Sequence, residues 1–222
     1  MRSGRIIVLF FLITISHDLS GSVVQDTMSQ IQVLYNGRIW RNLYYMVEGD
    51  QFLFTDSFLQ GRIVIRGKEF SNLTLKYDIF KDEILIPLKT GRILQVNKQM
   101  VDSFTIVWQN RNYHFTKIPE DSLKGYVHVL YKGKTSLYIK YIKKIEKLAD
   151  QGKYDKFYQT SQTYYVKDSI IHSISGKKDL KKVMGVDKDL INSFIRKSRL
   201  KISKNNPESY IPLIRYIDNL SQ

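Results

Sequence analysis

Leu73, Leu75, Tyr77 and Ile79 alternate with Thr74, Lys76, Asp78 and Phe80. Lys81-Asp82-Glu83 interrupts the pattern, and a second alternation runs through Ile84, Ile86 and Leu88. Period two on both sides of a polar break predicts an antiparallel hairpin with one buried face. Leu75, Tyr77, Ile84 and Ile86 are its expected inward side chains, with the turn at Lys81-Asp82.

The same pattern recurs along the chain. Ile31, Val33 and Tyr35 alternate before Asn36-Gly37, a dipeptide that accepts positive φ at both positions and predicts a tight hairpin returning over 38–45. Strands are expected at 61–66, around Ile93 to Val96, over Phe104 to Trp108 and over Tyr113 to Ile118, each bounded by Gly, Asn or Lys turns. Pro87 suits a strand end or an edge. Many short strands with short turns and no intervening helices favour an antiparallel meander, closing as a sandwich or open barrel.

Pro119-Glu120-Asp121-Ser122 is the candidate boundary. Beyond it, Tyr126–Tyr131 and Ser136–Ile142 flank Lys132-Gly133-Lys134 as another hairpin. Residues 143–150 fit either a helix or an extension of that strand. A strand through Phe157 and Tyr164 to Val166 turns at Lys167-Asp168-Ser169 into Ile170–Ile174. Three short helices close the chain. Asp179 is expected to cap one ending at Gly185; Asp187 caps another with Leu190, Ile191, Phe194 and Ile195 on one face. The last, near 208–220, accommodates Pro212 only if it begins near Ser209. The expected fold class is therefore α+β, mainly β, with a β domain over 23–118 and a basic α+β region over 123–222.

The first 22 residues change the setting. Arg2 and Arg5 precede an apolar run from Ile6 to Ser16, and Ser20 and Ser22 are small residues two apart. This is the layout of a secretory signal, with removal expected after Ser22. The apolar run is too short to span a bilayer, and no later stretch approaches the roughly 20 apolar residues a spanning helix needs. The sequence contains no cysteine, which removes disulfides and thiolate chemistry and favours bacterial export over a eukaryotic secreted scaffold.

Charge is the informative oddity. The formal net charge is +14. Residues 123–222 hold 21 Lys and Arg against 9 Asp and Glu, whereas 23–122 hold 12 against 11. Arg196, Lys197, Arg199, Lys201 and Lys204 crowd the end of one expected helix and its following loop. Some of these cations also complement the helix dipole. Export argues against nucleic acid as the partner. Lipid headgroups, an acidic polysaccharide or an acidic protein are the anionic envelope components that remain.

Other chemistry is sparse. His114, His128 and His172 lie on separate expected strands without metal-ligand spacing. Asp78, Asp82 and Glu83 are the tightest acidic group and would suit carboxylate-based glycoside hydrolysis, although turn chemistry explains acids at a hairpin equally directly. Tyr35, Trp40, Tyr44 and Tyr45 can stack on sugar rings if exposed, or pack in a core. There is neither a G-x-S-x-G elbow nor a glycine-rich phosphate loop. No cofactor, metal site or catalytic residue is expected.

The segments LKYDIFKDEILI at 75–86, LYKGKTSLYIKYIKKIEK at 130–147 and the end at 187–218 together resemble a family of exported Bacteroidota proteins without an assigned activity. That resemblance implies a periplasmic, outer-membrane-peripheral or extracellular location and transfers no catalytic residue. Pro212 departs from the helix formers expected in the last element. The reading is an exported, non-enzymatic binding or structural protein for an anionic partner; the alternative is a polysaccharide hydrolase.

Overall fold

The central hairpin forms where the alternation places it. Strand β3 (Lys68–Asp78) pairs with β4 (Glu83–Pro87) through Lys76↔Leu85, Tyr77↔Ile84 and Asp78↔Glu83. Asp82 turns it with φ 57°, a left-handed conformation that Asp tolerates better than most residues. The computed structural model describes residues 32–118, 123–147 and 154–220. The chain divides into two units between Val33 and Leu34, and the second contains the whole sheet. The export signal expected over residues 1–22 lies outside the described residues.

Nine further strands extend this hairpin: β1 (Gly37–Ile39), β2 (Leu59–Ile65), β5 (Ile93–Val96), β6 (Val101–Trp108), β7 (Arg111–Lys117), β8 (Tyr126–Lys132), β9 (Ser136–Glu146), β10 (Lys156–Lys167) and β11 (Ile170–Ile174). All eleven lie in one antiparallel sheet, ordered β1-β5-β4-β3-β2-β6-β7-β8-β9-β10-β11. The sheet is open, ending at β1 and β11. Two meanders run outward in opposite directions from the β2–β6 pair. Pairing of β7 with β8, from Phe115↔His128 to Lys117↔Tyr126, carries the sheet across the Pro-containing stretch at 119–122.

Connector length dictates that the sheet is curled. Only Asn97 to Met100 separate β5 from β6, and the Met100 N–H turns back to the Asn97 carbonyl at 3.0 Å. In a flat sheet these strands would stand four spacings, about 19 Å, apart. Five Cα steps reach at most about 18 Å even when fully extended. The curled inner face is filled by aromatic rings. Tyr77 meets Phe104 edge-on at 5.0 Å, and Phe104 stacks on Phe115 at 4.8 Å. Ile63, Leu75, Ile84 and Ile106 are buried around them.

The hairpin is buried on both faces, not the one expected. Leu75, Tyr77, Ile84 and Ile86 point inward as the pattern requires, yet Asp78 and Leu85 are buried too. The cover is the coil at 48–53. Its Glu48 N–H donates to the Asp155 carbonyl, at 2.8 Å, and its Leu53 N–H donates to the Tyr77 carbonyl, at 2.9 Å. The coil thus stitches the start of β10 to the end of β3, and Phe52 bridges Asp78.

The Asn36-Gly37 hairpin does not form. Residues 32–34 are a helical turn, and β1 pairs with the distant β5 through Gly37↔Val96. The glycine serves close approach: a Cβ at Gly37 would collide with the Gln95 carbonyl. The return strand expected over 38–45 shrinks to β1. At the other ambiguous stretch β9 continues as strand to Glu146, paired with Lys156; residues 148–150 lie outside the described residues.

Three helices follow the sheet: α1 (Lys177–Val183), α2 (Lys188–Lys197) and α3 (Ile211–Leu220), the last preceded by a 3-10 turn, Pro207–Tyr210. Asp187 caps α2, accepting from the Asp189 N–H. Helix α1 begins at Lys177, earlier than expected, so Asp179 sits in its first turn and accepts from the Ser175 N–H at 2.9 Å. Pro212 falls in the first turn of α3, where no intrahelical donor is lost. Leu180, Met184, Ile191, Leu213 and Ile214 pack against Leu137, Tyr165 and Ile174 of the sheet. Buried Asp218 fixes α3 to the β8–β9 turn, accepting from the Thr135 N–H (3.1 Å), Thr135 Oγ1 (2.8 Å) and the Tyr131 hydroxyl (3.1 Å).

Candidate functional site

Helix α2 buries Ile191 and Ile195, so the opposite side of its last turn faces water. Arg196 and Lys197 end the helix. Ser198 caps it, and Arg199 takes φ 50° as the chain leaves toward Lys201 and Lys204. All five cations are exposed. Among the described residues no carboxylate stands within ion-pair distance of any of them. The residues grouped by sequence are therefore a continuous basic turn on the surface, and the α2 apolar face that orients them is the one the periodicity identified, with Phe194 stacking on Tyr216 at 3.8 Å, except that Leu190 is exposed.

A second feature was only half visible in the sequence. A cleft of about 520 Å³ opens beside the β3–β4 turn. Trp40, Tyr44, Ile39 and Leu43 supply apolar lining; Arg38, Gln51, Asp78, Glu83 and Gln95 supply polar groups. Asp78 and Glu83 are register partners, so their side chains leave the same face of the sheet. Arg38 organises one wall, with Nε donating to Gln95 Oε1 at 2.8 Å and Nη2 to Glu83 Oε1 at 3.4 Å. Lys81 lies over the Tyr44 ring, 5.4 Å from its centroid. Tyr44 itself packs edge-on against Phe80 and Phe157.

Asp78 is fully buried at this cleft. Its Oδ1 accepts from the Phe80 and Lys81 N–H groups, each at 2.9 Å, while Oδ2 has no hydrogen-bond partner among the described residues. Burial raises its pKa to about 6; the two backbone bonds and nearby Gln51 pull downward, and the Glu83 charge adds to the rise.

Asp82, the third acid of the cluster, has a different task. It accepts from the Tyr77 hydroxyl at 2.7 Å and the Tyr126 N–H at 3.1 Å, with Lys98 and Lys140 ammonium groups at 3.8 and 3.9 Å. It ties the hairpin turn to β8. Tyr35 and Tyr45 are exposed, and neither lines the cleft that Trp40 and Tyr44 share.

The histidines are strand residues. His128 is buried, its Nδ1 3.4 Å from the Tyr141 hydroxyl, and burial lowers its pKa to about 4, with His114 adding to the fall. His114 pairs with Thr105 Oγ1 at 3.2 Å. His172 sits on β11 opposite Tyr165. No group of three or more His, Asp or Glu among the described residues is placed to hold a metal ion.

Sequence reasoning missed Arg38, Gln51 and Gln95. Arg38 and Gln95 meet only through the β1–β5 pairing, across 57 positions, and no local pattern encodes that contact. Comparison with protein families, with curated proteins and with solved structures returned no match. No helix among the described residues is long and apolar enough to cross a membrane.

Proposed function

We propose that this protein is an exported, non-enzymatic envelope or surface binding module that docks onto an anionic partner through Arg196, Lys197, Arg199, Lys201 and Lys204. The observation that carries the reading is the exposed turn of five cations with no acidic partner among the described residues. Clustered exposed charge of one sign raises the local concentration of an oppositely charged surface. The chemistry recognised is a repeated phosphate or carboxylate, as in anionic lipid headgroups, an acidic polysaccharide or an acidic protein. Export rests on the amino-terminal pattern of Arg2, Arg5 and the apolar run to Ser16. Mass spectrometry of protein recovered from the envelope tests it: a mature chain beginning at Val23 is expected, and an intact Met1 terminus overturns the export reading.

The docking test uses purified mature protein with phosphatidylglycerol vesicles, with polygalacturonate, and with neutral phosphatidylcholine vesicles as the control. Binding to one of the anionic probes that weakens with salt is the expected result. A variant with Arg196, Lys197, Arg199 and Lys201 changed to Gln should lose most of it. Equal binding by both proteins, or no binding to either anionic probe, overturns the reading.

A second reading, a polysaccharide hydrolase, has one observation in its favour: Asp78 and Glu83 side by side at a cleft. Hydrolysis requires the two carboxyls to flank the scissile bond. Here Glu83 Oε1 is held by Arg38 and Asp78 Oδ1 by two backbone donors. The arrangement favours holding a ligand over cleaving one.

A further inference from the structure

We propose that the cleft formed by Trp40, Tyr44 and the Asp78–Glu83 strand pair binds a neutral hydroxylated ring, a mono- or disaccharide. This site shares no residue with the basic turn of α2, so the two proposals stand or fall separately.

Size sets the first limit. About 520 Å³ lies within the range of small-molecule sites and matches one or two sugar rings. Charge sets the second. Arg38, Arg41 and Lys81 line the cleft against Asp78 and Glu83. A strongly cationic ligand would meet three like charges, and a phosphate would meet a buried carboxylate. A neutral ligand rich in hydroxyls meets neither obstacle and can use both donors and acceptors.

The polar groups are held in place before any ligand arrives. Arg38 anchors Gln95 through Oε1, and this leaves the Gln95 amide nitrogen as a donor. Arg38 also fixes Glu83 through Oε1, leaving Oε2 as an acceptor. Asp78 lies fully buried behind this wall and contributes its charge rather than a contact atom. Trp40 and Tyr44 add ring surface of the kind on which the C–H face of a sugar packs. Ile39 and Leu43, both exposed at the rim, extend that apolar surface.

Titration calorimetry on the mature protein tests the proposal. The probes are glucose, galactose, mannose, N-acetylglucosamine, cellobiose and maltose, each to about 50 mM, the range in which a millimolar Kd is measurable. Inorganic phosphate and tetramethylammonium serve as charged controls. Saturable binding of at least one sugar, stronger than either control, is expected. Trp40→Leu and Gln95→Ala should each weaken it by about tenfold or more, the change produced by losing one good contact. Gln95 is half-buried and among the described residues its side chain bonds only Arg38 of the cleft wall, so its variant keeps the test valid if Trp40→Leu fails to fold. Absence of binding by every sugar, preference for a charged control, or wild-type affinity in a folded Gln95→Ala protein, overturns the proposal.

Discussion

Asp78 and His128 are buried ionisable side chains with opposite consequences for pH. Asp78 in the folded protein has a pKa near 6, above its ordinary 3.8. A raised folded pKa means the native state binds the proton more tightly. The associated stability is complete below about pH 4 and is lost as pH rises through 6. His128 is lowered from 6.5 to about 4. Its contribution is complete above pH 6.5 and is lost as pH falls through 4. Between these limits the two slopes oppose each other. Replacing Asp78 by Asn, which can still accept the Phe80 and Lys81 N–H bonds, removes one slope. Chemical denaturation at pH 4 and pH 7 should then show Asp78→Asn gaining stability with pH relative to wild type, by on the order of 2 kcal/mol. An identical pH dependence in the two proteins would show that Asp78 is not the shifted group.

At the scale of the element, the β3–β4 hairpin carries the β core and Asp218 carries the helices. Ile84 and Ile86 are buried within the curled sheet, so Ile84→Ala and Ile86→Ala should each cost about 2–5 kcal/mol in urea unfolding. Asp218 lies on α3 yet is satisfied by Thr135 and Tyr131 of the sheet. Asp218→Ala leaves a buried Thr135 N–H and two hydroxyls without that acceptor, a loss of about 1–3 kcal/mol. Hydrogen exchange should locate the effect: amides of α3 and the β8–β9 turn exchange faster, while those of β3 and β4 keep their protection. Uniform acceleration throughout would mean the helices are not a separately anchored layer.

At the scale of the molecule, the asymmetry of charge sets the expected behaviour toward partners. The balance of +12 over 123–222 against +1 over 23–122 puts nearly all of the excess charge in the second half of the sequence, and the proposed docking expects attraction there. The screening length falls from about 10 Å at 0.1 M salt to about 3 Å at 1 M. Vesicle co-sedimentation at these two ionic strengths should show most binding to phosphatidylglycerol lost at the higher one. Lys-to-Gln changes of Lys68 and Lys89, cations outside the basic turn, should leave that binding nearly intact. Comparable losses from those changes would mean that diffuse net charge, and not the turn after α2, does the docking.

Alternation of apolar and polar side chains determined most of the strands, because period two is read directly from neighbours and needs no knowledge of distant chain. The central hairpin and the β6–β7 and β10–β11 turns were legible for that reason, and the capping of α2 by Asp187 was legible from a local cap residue before a helical apolar stripe. The cluster from Arg196 to Lys204 was legible too, since its members adjoin in sequence and one helix face explains their exposure. Tertiary structure alone decided what non-local pairing controls. Gly37 looked like a hairpin glycine but answers the Gln95 carbonyl instead. Asp78 is the turn acid the sequence suggests, its Oδ1 accepting from the Phe80 and Lys81 N–H groups, but only the coil at 48–53 buries it and shifts its pKa. The cleft joins Arg38, Gln51, Asp78 and Gln95 from four segments, and only the β1-β5-β4-β3 pairing and the covering coil bring them to one place.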